Sequence, residues 1–169
     1  MRRFCAVSIL VVCLLILVAG CGPTLEAEKT TPGTTTPPGE TFAVGDTVSI
    51  SNYRITVNKA RTSTGTEFFK PASGYVWLIV ECMLENTHAT DPLAVSSLMM
   101  FELVDKDGRA MEGAFLADTK GKLDGELGAG RKMTGEIAWE VPVGTKGLEL
   151  LFKPELFQAG QAIFKLGDL

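Results

Sequence analysis

The chain has 169 residues, with 16 Lys+Arg against 20 Asp+Glu and a single His, a length that allows one ordinary domain with accessory segments. Residues 1–20 contain Arg2 and Arg3 and no acid, so the remainder carries 14 basic against 20 acidic residues and a net charge of −6. That balance excludes nucleic acid as a partner, because such binding rests on neutralising phosphates with Lys and Arg. The acids are dispersed along the chain, which reads as a solvated surface and not as an acidic binding tail.

Arg2 and Arg3 open the chain, and Phe4 to Val18 is an almost unbroken apolar run interrupted by Ser8. Val18-Ala19-Gly20-Cys21 follows. Small residues before a cysteine are what a signal peptidase pocket admits, and a thiol is what diacylglyceryl transfer alkylates. This V-A-G-C resembles the bacterial lipobox. It predicts a lipoprotein signal peptide over residues 1–20 and a lipid on Cys21. An uncleaved anchor is disfavoured, since about 15–17 apolar residues are short for a hydrocarbon core of ~30 Å. The Arg pair lacks the flanking pattern of a twin-arginine signal. Each buried methylene contributes about 0.8 kcal/mol, so one acyl chain holds marginally and two hold stably. Diacylglycerol supplies two, and the domain needs no membrane-binding face of its own to stay anchored. The expected location is the extracytoplasmic face of the cell membrane.

The four cysteines do not imply a disulfide framework. Cys5 and Cys13 fall in the signal peptide, Cys21 takes the lipid, and Cys82 alone remains in the rest of the chain. No intramolecular disulfide is available there. A domain of this size does not require one, since it buries roughly two-thirds of its unfolded surface.

Residues 21–41 read as lipidated Cys21 followed by a disordered Thr/Pro-rich linker, with Leu25 its one large apolar residue. Such a stretch buries too little surface to offset the cost of ordering. Its prolines extend it, at ~3.1 Å per residue if fully polyproline-like, which holds the domain a few nanometres from the bilayer. Its threonines are candidate O-glycosylation sites.

From Phe42 onward the apolar pattern has period two. Tyr53, Ile55 and Val57 alternate with Arg54, Thr56 and Asn58; Leu148, Leu150 and Phe152 alternate with Glu149, Leu151 and Lys153. The runs are bounded by Gly, Pro, Asn or Asp. About seven strands are predicted, over 46–50, 53–61, 75–85, 98–104, 131–141, 148–153 and 162–166, with Leu93–Leu98 as a candidate helical turn. No window sustains an amphipathic helix. Short antiparallel strands joined by turns predict an all-β fold, an immunoglobulin-like antiparallel β-sandwich over 42–169, with a closed barrel as the alternative. Asp105-Lys106-Asp107-Gly108 reads as a tight turn with Gly108 at positive φ. It shares part of a calcium loop, but the remaining carboxylates are not at their spacing. The connection Arg109–Gly130 is long for a structureless loop, and Phe115, Leu116, Leu123 and Leu127 are expected to pin it to the sandwich.

The run Gly74-Tyr75-Val76-Trp77-Leu78-Ile79-Val80-Glu81-Cys82-Met83-Leu84-Glu85-Asn86-Thr87 reads as a long strand ending in a turn. Phe101 to Gly108 follows, then Leu127 to Lys132 leading to Trp139-Glu140-Val141-Pro142. In this order the motifs resemble the telokin-like, immunoglobulin-fold domains of uncharacterised bacterial lipoproteins, which are similar to a secreted mycobacterial antigen. The resemblance spans residues 42–169 and is structural. It implies the fold and carries over no catalytic residue and no ligand. Cys82 departs from it, where an apolar or small residue is more ordinary.

Recognisable catalytic chemistry is sparse. His88 lies in a polar turn, and a Ser-His-Asp arrangement would need Ser96 or Ser97 and an acid beside it. Zinc would need ligands beyond Cys82 and His88, and no glycine-rich phosphate loop opens a helix. The expectation is a non-enzyme with no cofactor and no metal: a membrane-anchored interaction module for an envelope protein or polymer. The alternative is an envelope hydrolase with an unrecognised site. On the long central strand Val76, Leu78, Val80, Cys82 and Leu84 share the core phase, which predicts a buried Cys82. Trp77, Ile79 and Met83 point the other way. They are covered by Phe115 or Leu116 of the long connection, or they form an exposed interaction patch.

Overall fold

The computed structural model describes residues 28–29, 40–155 and 160–169. The expected signal peptide, Cys21 and most of the expected linker lie outside the described residues. The strands are β1 Glu28–Lys29, β2 Thr41–Ala43, β3 Thr47–Ile50, β4 Tyr53–Ser63, β5 Tyr75–Asn86 and β6 Leu93–Ser96. One helical turn, α1 Ser97–Met100, precedes β7 Phe101–Val104. Then come β8 Glu112–Gly113, β9 Asp124–Leu127, β10 Lys132–Pro142, β11 Leu148–Phe152 and β12 Ala162–Gly167.

Two sheets face each other as a β-sandwich. One has the order β1-β3-β4-β5-β10-β8, the other β2-β12-β11-β7, and β6 pairs with β9 apart from both. Adjacent strands are antiparallel except β2 beside β12. Period-two alternation places Tyr53, Ile55 and Val57, then Leu78, Val80, Cys82 and Leu84, against Leu150, Phe152 and Phe164 of the facing sheet. Tyr53 meets Phe152 edge-on across the sheets at 5.8 Å, and its hydroxyl donates to the Ala94 carbonyl at 2.6 Å.

A bulge in β4 decides which of its residues face inward. Val57 pairs with Cys82 and Lys59 with Glu81, leaving Asn58 without an opposite number. Strict alternation would have turned Lys59 and Arg61 into the core. The extra residue shifts the phase, so Ala60 sits opposite Val80 and Arg61 opposite Ile79. The outer face of the larger sheet then carries cross-strand ion pairs, with Arg54 2.9 Å from Glu85, Lys59 3.1 Å from Glu81 and Arg61 2.9 Å from Glu136.

Three sequence expectations need correction. Leu93–Ser96 is a strand on β9, and the helical turn comes afterwards at Ser97–Met100, shortening the strand expected over 98–104. The linker is not structureless throughout, because Glu28 pairs with Ser49 and Lys29 with Val48. An edge strand offers unpaired N–H and C=O groups that accept extended backbone whatever its side chains. Phe115 and Leu116 do not pin the long connection, being exposed, whereas Leu123 and Leu127 are buried as expected.

Candidate functional site

At one end of the sandwich three connections surround a groove of about 780 Å³. They are the β4–β5 loop, the turn after β7 and the turn between β10 and β11. Ala72 and Tyr75 form one wall, Asp105 to Arg109 a second, and Pro142 to Lys146 a third. Backbone hydrogen bonds fasten them together. The Val143 N–H donates to the Gly74 carbonyl at 2.9 Å, and the Lys106 N–H to the Lys146 carbonyl at 3.2 Å.

The β4–β5 loop closes on itself, the Thr66 N–H donating to the Phe69 carbonyl at 2.7 Å. This closure presents Phe68, 83% exposed, and Phe69 to solvent, while Tyr75 at the start of β5 and Val143 in the β10–β11 turn are exposed on the groove. Sequence reasoning missed this set. The available signal was Phe68-Phe69 between Gly65 and Gly74, an aromatic pair in an otherwise polar connection.

The Asp105 turn has the expected form, with Gly108 at φ +74°. Asp105 Oδ1 accepts from the N–H groups of Asp107 and Arg109 at 2.8 and 2.9 Å, and the Arg109 guanidinium lies 3.3 Å from Oδ2. The Arg109 backbone N–H first, then that of Asp107 and the Arg109 charge, hold this carboxyl below its usual range. Both oxygens are thus engaged by the protein's own donors, as a structural turn requires. Among the described residues no three His, Cys, Asp or Glu side chains come together around a metal position.

Trp77 and Ile79, two of the three candidate patch residues, are buried at 4% and 1% exposure, and Met83 is half-buried. Trp77 and Ile79 therefore do not form an exposed face. They pack with Ala138 beneath Ala114 and Ala117 of the long connection. The cover is made by alanines, and the connection runs close to the sheet there, the Ala114 N–H donating to the Ala138 carbonyl at 2.8 Å. A bridge between Gly121 and Gly135 sets that closeness. A Cβ at Gly121 would stand 2.7 Å from the Thr134 carbonyl oxygen, and one at Gly135 2.7 Å from the Lys122 carbonyl carbon.

Glu136 fastens the same flap. Its Oε2 accepts from the Arg61 guanidinium and from the Lys120 N–H, both at 2.9 Å, with its side chain 2% exposed. Burial pushes its carboxyl up, but the Arg61 hydrogen bond, the Lys120 N–H and the Arg61 and Lys59 charges outweigh this and hold it below its usual value. Beside the flap lies a lateral cleft of about 490 Å³, floored by Phe101 and Trp139 and rimmed by Leu98 and Phe115.

His88 and Cys82 have structural surroundings. His88 Nδ1 accepts from the Thr90 and Asp91 N–H groups at 3.3 and 3.0 Å, so the imidazole caps its own turn. Cys82 is buried and free, its thiol pushed up to about 12 by burial and by the Glu81 charge. Asn86 is fully buried. It donates to the Asp91 and Leu127 carbonyls at 2.8 and 2.9 Å and accepts from the His88 N–H at 2.8 Å.

Residues 42–163, which span the sandwich except its last few residues, match the family described as "Domain of unknown function (DUF4352)". The chain belongs to the DUF4352 family. Among curated proteins none matches it. Solved structures similar to this DUF4352 domain share its β-sandwich. YcdA of Bacillus subtilis, described as a candidate lipoprotein, is 21% identical with a TM-score of 0.57. The alignment covers 68% of this chain but only 36% of YcdA, so this chain spans about a third of that protein. YjhA of Bacillus subtilis is 23% identical over 74% of this chain and 98% of its own, at a TM-score of 0.58. An uncharacterised β-sandwich protein of Clostridium difficile is 16% identical over 79% and 99%, at 0.52.

Proposed function

We propose that this protein is a lipoprotein, held by lipid on Cys21 at the extracytoplasmic face of the cell membrane. In this reading its DUF4352 sandwich, of the telokin-like immunoglobulin kind, is a binding module for an envelope protein and not an enzyme. One observation carries the binding role. Tyr75 and Val143, both exposed, line a groove at one sandwich end, and the β4–β5 loop at that end exposes Phe68 and Phe69. Exposed apolar groups rimmed by charge mark interaction sites, and aromatic residues and Arg dominate interface energetics. Lys106, Arg109 and Lys146 alternate there with Asp107, Glu112 and Glu140, a mixed rim suited to a protein surface. Loops on a rigid sandwich tolerate such specialisation without disturbing the core.

The test has two arms. A Cys21→Ser protein should lose acyl labelling and leave the membrane fraction; persistent labelling and binding would place the anchor elsewhere. A photo-crosslinker at Tyr75, activated in intact cells, should join the protein to a discrete partner that Phe68→Ser with Val143→Ser abolishes. Cross-linking to the wall polymer alone would replace the protein partner with a polymer. An activity on envelope substrates that survives loss of the groove residues would overturn the reading in favour of a hydrolase.

A further inference from the structure

The chain path fixes which end of the sandwich faces the lipid. β2 runs parallel to β12, with Thr41 opposite Ile163, and Ala162 lies opposite Phe152 at the end of β11. One residue on, the Lys153 N–H donates to the Met100 carbonyl at 2.8 Å. β2 therefore begins at the end of the sandwich where α1 sits. β1 agrees with this. It runs antiparallel to β3, and Glu28, its first residue, lies opposite Ser49, beside the β3–β4 turn at that same end. Seven residue-to-residue steps separate Cys21 from Glu28. At most ~3.6 Å each, they reach about 25 Å, so the β1 pairing keeps this end of the domain close to the lipid. The groove of Tyr75 and Val143 lies at the opposite end.

α1 carries Leu98 and Met99, 73% and 54% exposed, while Met100 turns into the core. At the same end Arg131 is exposed, Lys132 is ion-paired with Glu85 at 3.5 Å, and Asp124 accepts from the Ser97 hydroxyl at 3.0 Å, so the surface around α1 carries both signs of charge. We infer that α1 is a membrane contact, with Leu98 and Met99 entering the interfacial layer of the bilayer that holds the lipid on Cys21. This inference rests on the lipidation reading. Two side chains on one helical turn make a weak contact by themselves. The tether raises the effective concentration of the bilayer at α1 to roughly the millimolar range expected of short linkers. The contact thus orients an already anchored domain, presenting the loop-end groove away from the membrane.

The test uses the full acylated protein in vesicles of defined lipid containing no other protein. An environment-sensitive fluorophore is placed on Leu98→Cys or Met99→Cys, and on Glu67→Cys in the opposite loop as a reference. The buried Cys82 stays unlabelled in the folded protein. The 98 and 99 probes should shift to shorter wavelength and lose intensity with brominated acyl chains, and the 67 probe should do neither. Removing β1 pairing with Glu28→Pro and Lys29→Pro should weaken the shift while the protein still floats with the vesicles. An acylated, vesicle-bound protein whose 98 and 99 probes stay water-like overturns the membrane face alone, and so does quenching at 67. Protein isolated from cells that carries no acyl chain on Cys21 overturns the anchoring reading and this one with it.

Discussion

Glu136 shows how one buried carboxylate organises a surface. Its neighbours hold it ionised below its usual range, so the folded chain binds fewer protons there than the unfolded one. Its contribution to stability is complete above the unfolded Glu value of about 4.3 and is lost as the pH falls through the lower folded value. Glu136→Gln should cost about 1.5–3 kcal/mol at neutral pH, the range for hydrogen bonds to charged groups. It should also flatten the acid limb of the stability curve, measured by urea titrations at several pH values. An acid limb as steep as that of the wild type would remove Glu136 from this role. Cys82 behaves oppositely. Burial keeps it a thiol, the form that is not nucleophilic, so a thiol reagent should modify it only as fast as the domain opens. Rapid modification of the native protein would contradict its placement against the core.

At the scale of elements, the flap over β5 and β10 is a layer of its own. Trp77 and Ile79 face away from the sandwich core, yet they are as buried as the residues within it. Trp77→Ala should therefore destabilise the domain by ~3–5 kcal/mol, as for any buried aromatic, read from the shift in denaturant midpoint. A midpoint unchanged from the wild type would mean that the indole is in solvent. Gly135→Ala tests the flap from its other side. The new methyl meets the Lys122 backbone, which cannot yield as a flexible side chain would. Overpacking of this kind costs typically 1–3 kcal/mol, and here amide exchange should quicken across residues 113–122 before it quickens in β4 or β5. Uniform acceleration throughout the sandwich would place Gly135 in the global core instead.

For the molecule as a whole, the two ends differ in what they expose. The loop end gathers Phe68, Phe69, Tyr75 and Val143, and the α1 end offers Leu98 and Met99. Substituting these exposed groups should change stability by no more than ~0.5 kcal/mol, which separates loss of binding from loss of fold. Cohesion of the domain owes nothing to a cross-link, because Cys82 is the one cysteine after Cys21. The melting temperature of residues 42–169 should be the same with and without reductant. A reductant-sensitive midpoint would reveal an intermolecular disulfide through Cys82.

The seven longer runs were legible because alternation is local. A residue's face in a strand follows from its neighbours two positions away, so Tyr53, Ile55 and Val57 or Leu148, Leu150 and Phe152 announce their burial in the sequence. The β-sandwich and the buried Cys82 follow from the same signal. The strands β1, β2 and β8 were not legible, since two or three residues carry too little periodicity, and of the four-residue strands β6 and β9 neither alternates as β3 and β7 do, β9 having Leu127 as its one apolar residue. The bulge at Asn58 was equally hidden, because only its pairing with β5 shows that the phase shifts there. The sequence also posed the question of what covers Trp77 and Ile79 without answering it. Phe115 and Leu116 have the right chemistry, but Ala114 and Ala117 occupy the position. Hydrophobicity along the chain says how much surface wants burial. Which side chain provides the cover depends on how closely two backbones approach, and here the Gly121–Gly135 bridge and the Glu136 carboxylate set that distance from residues remote in sequence.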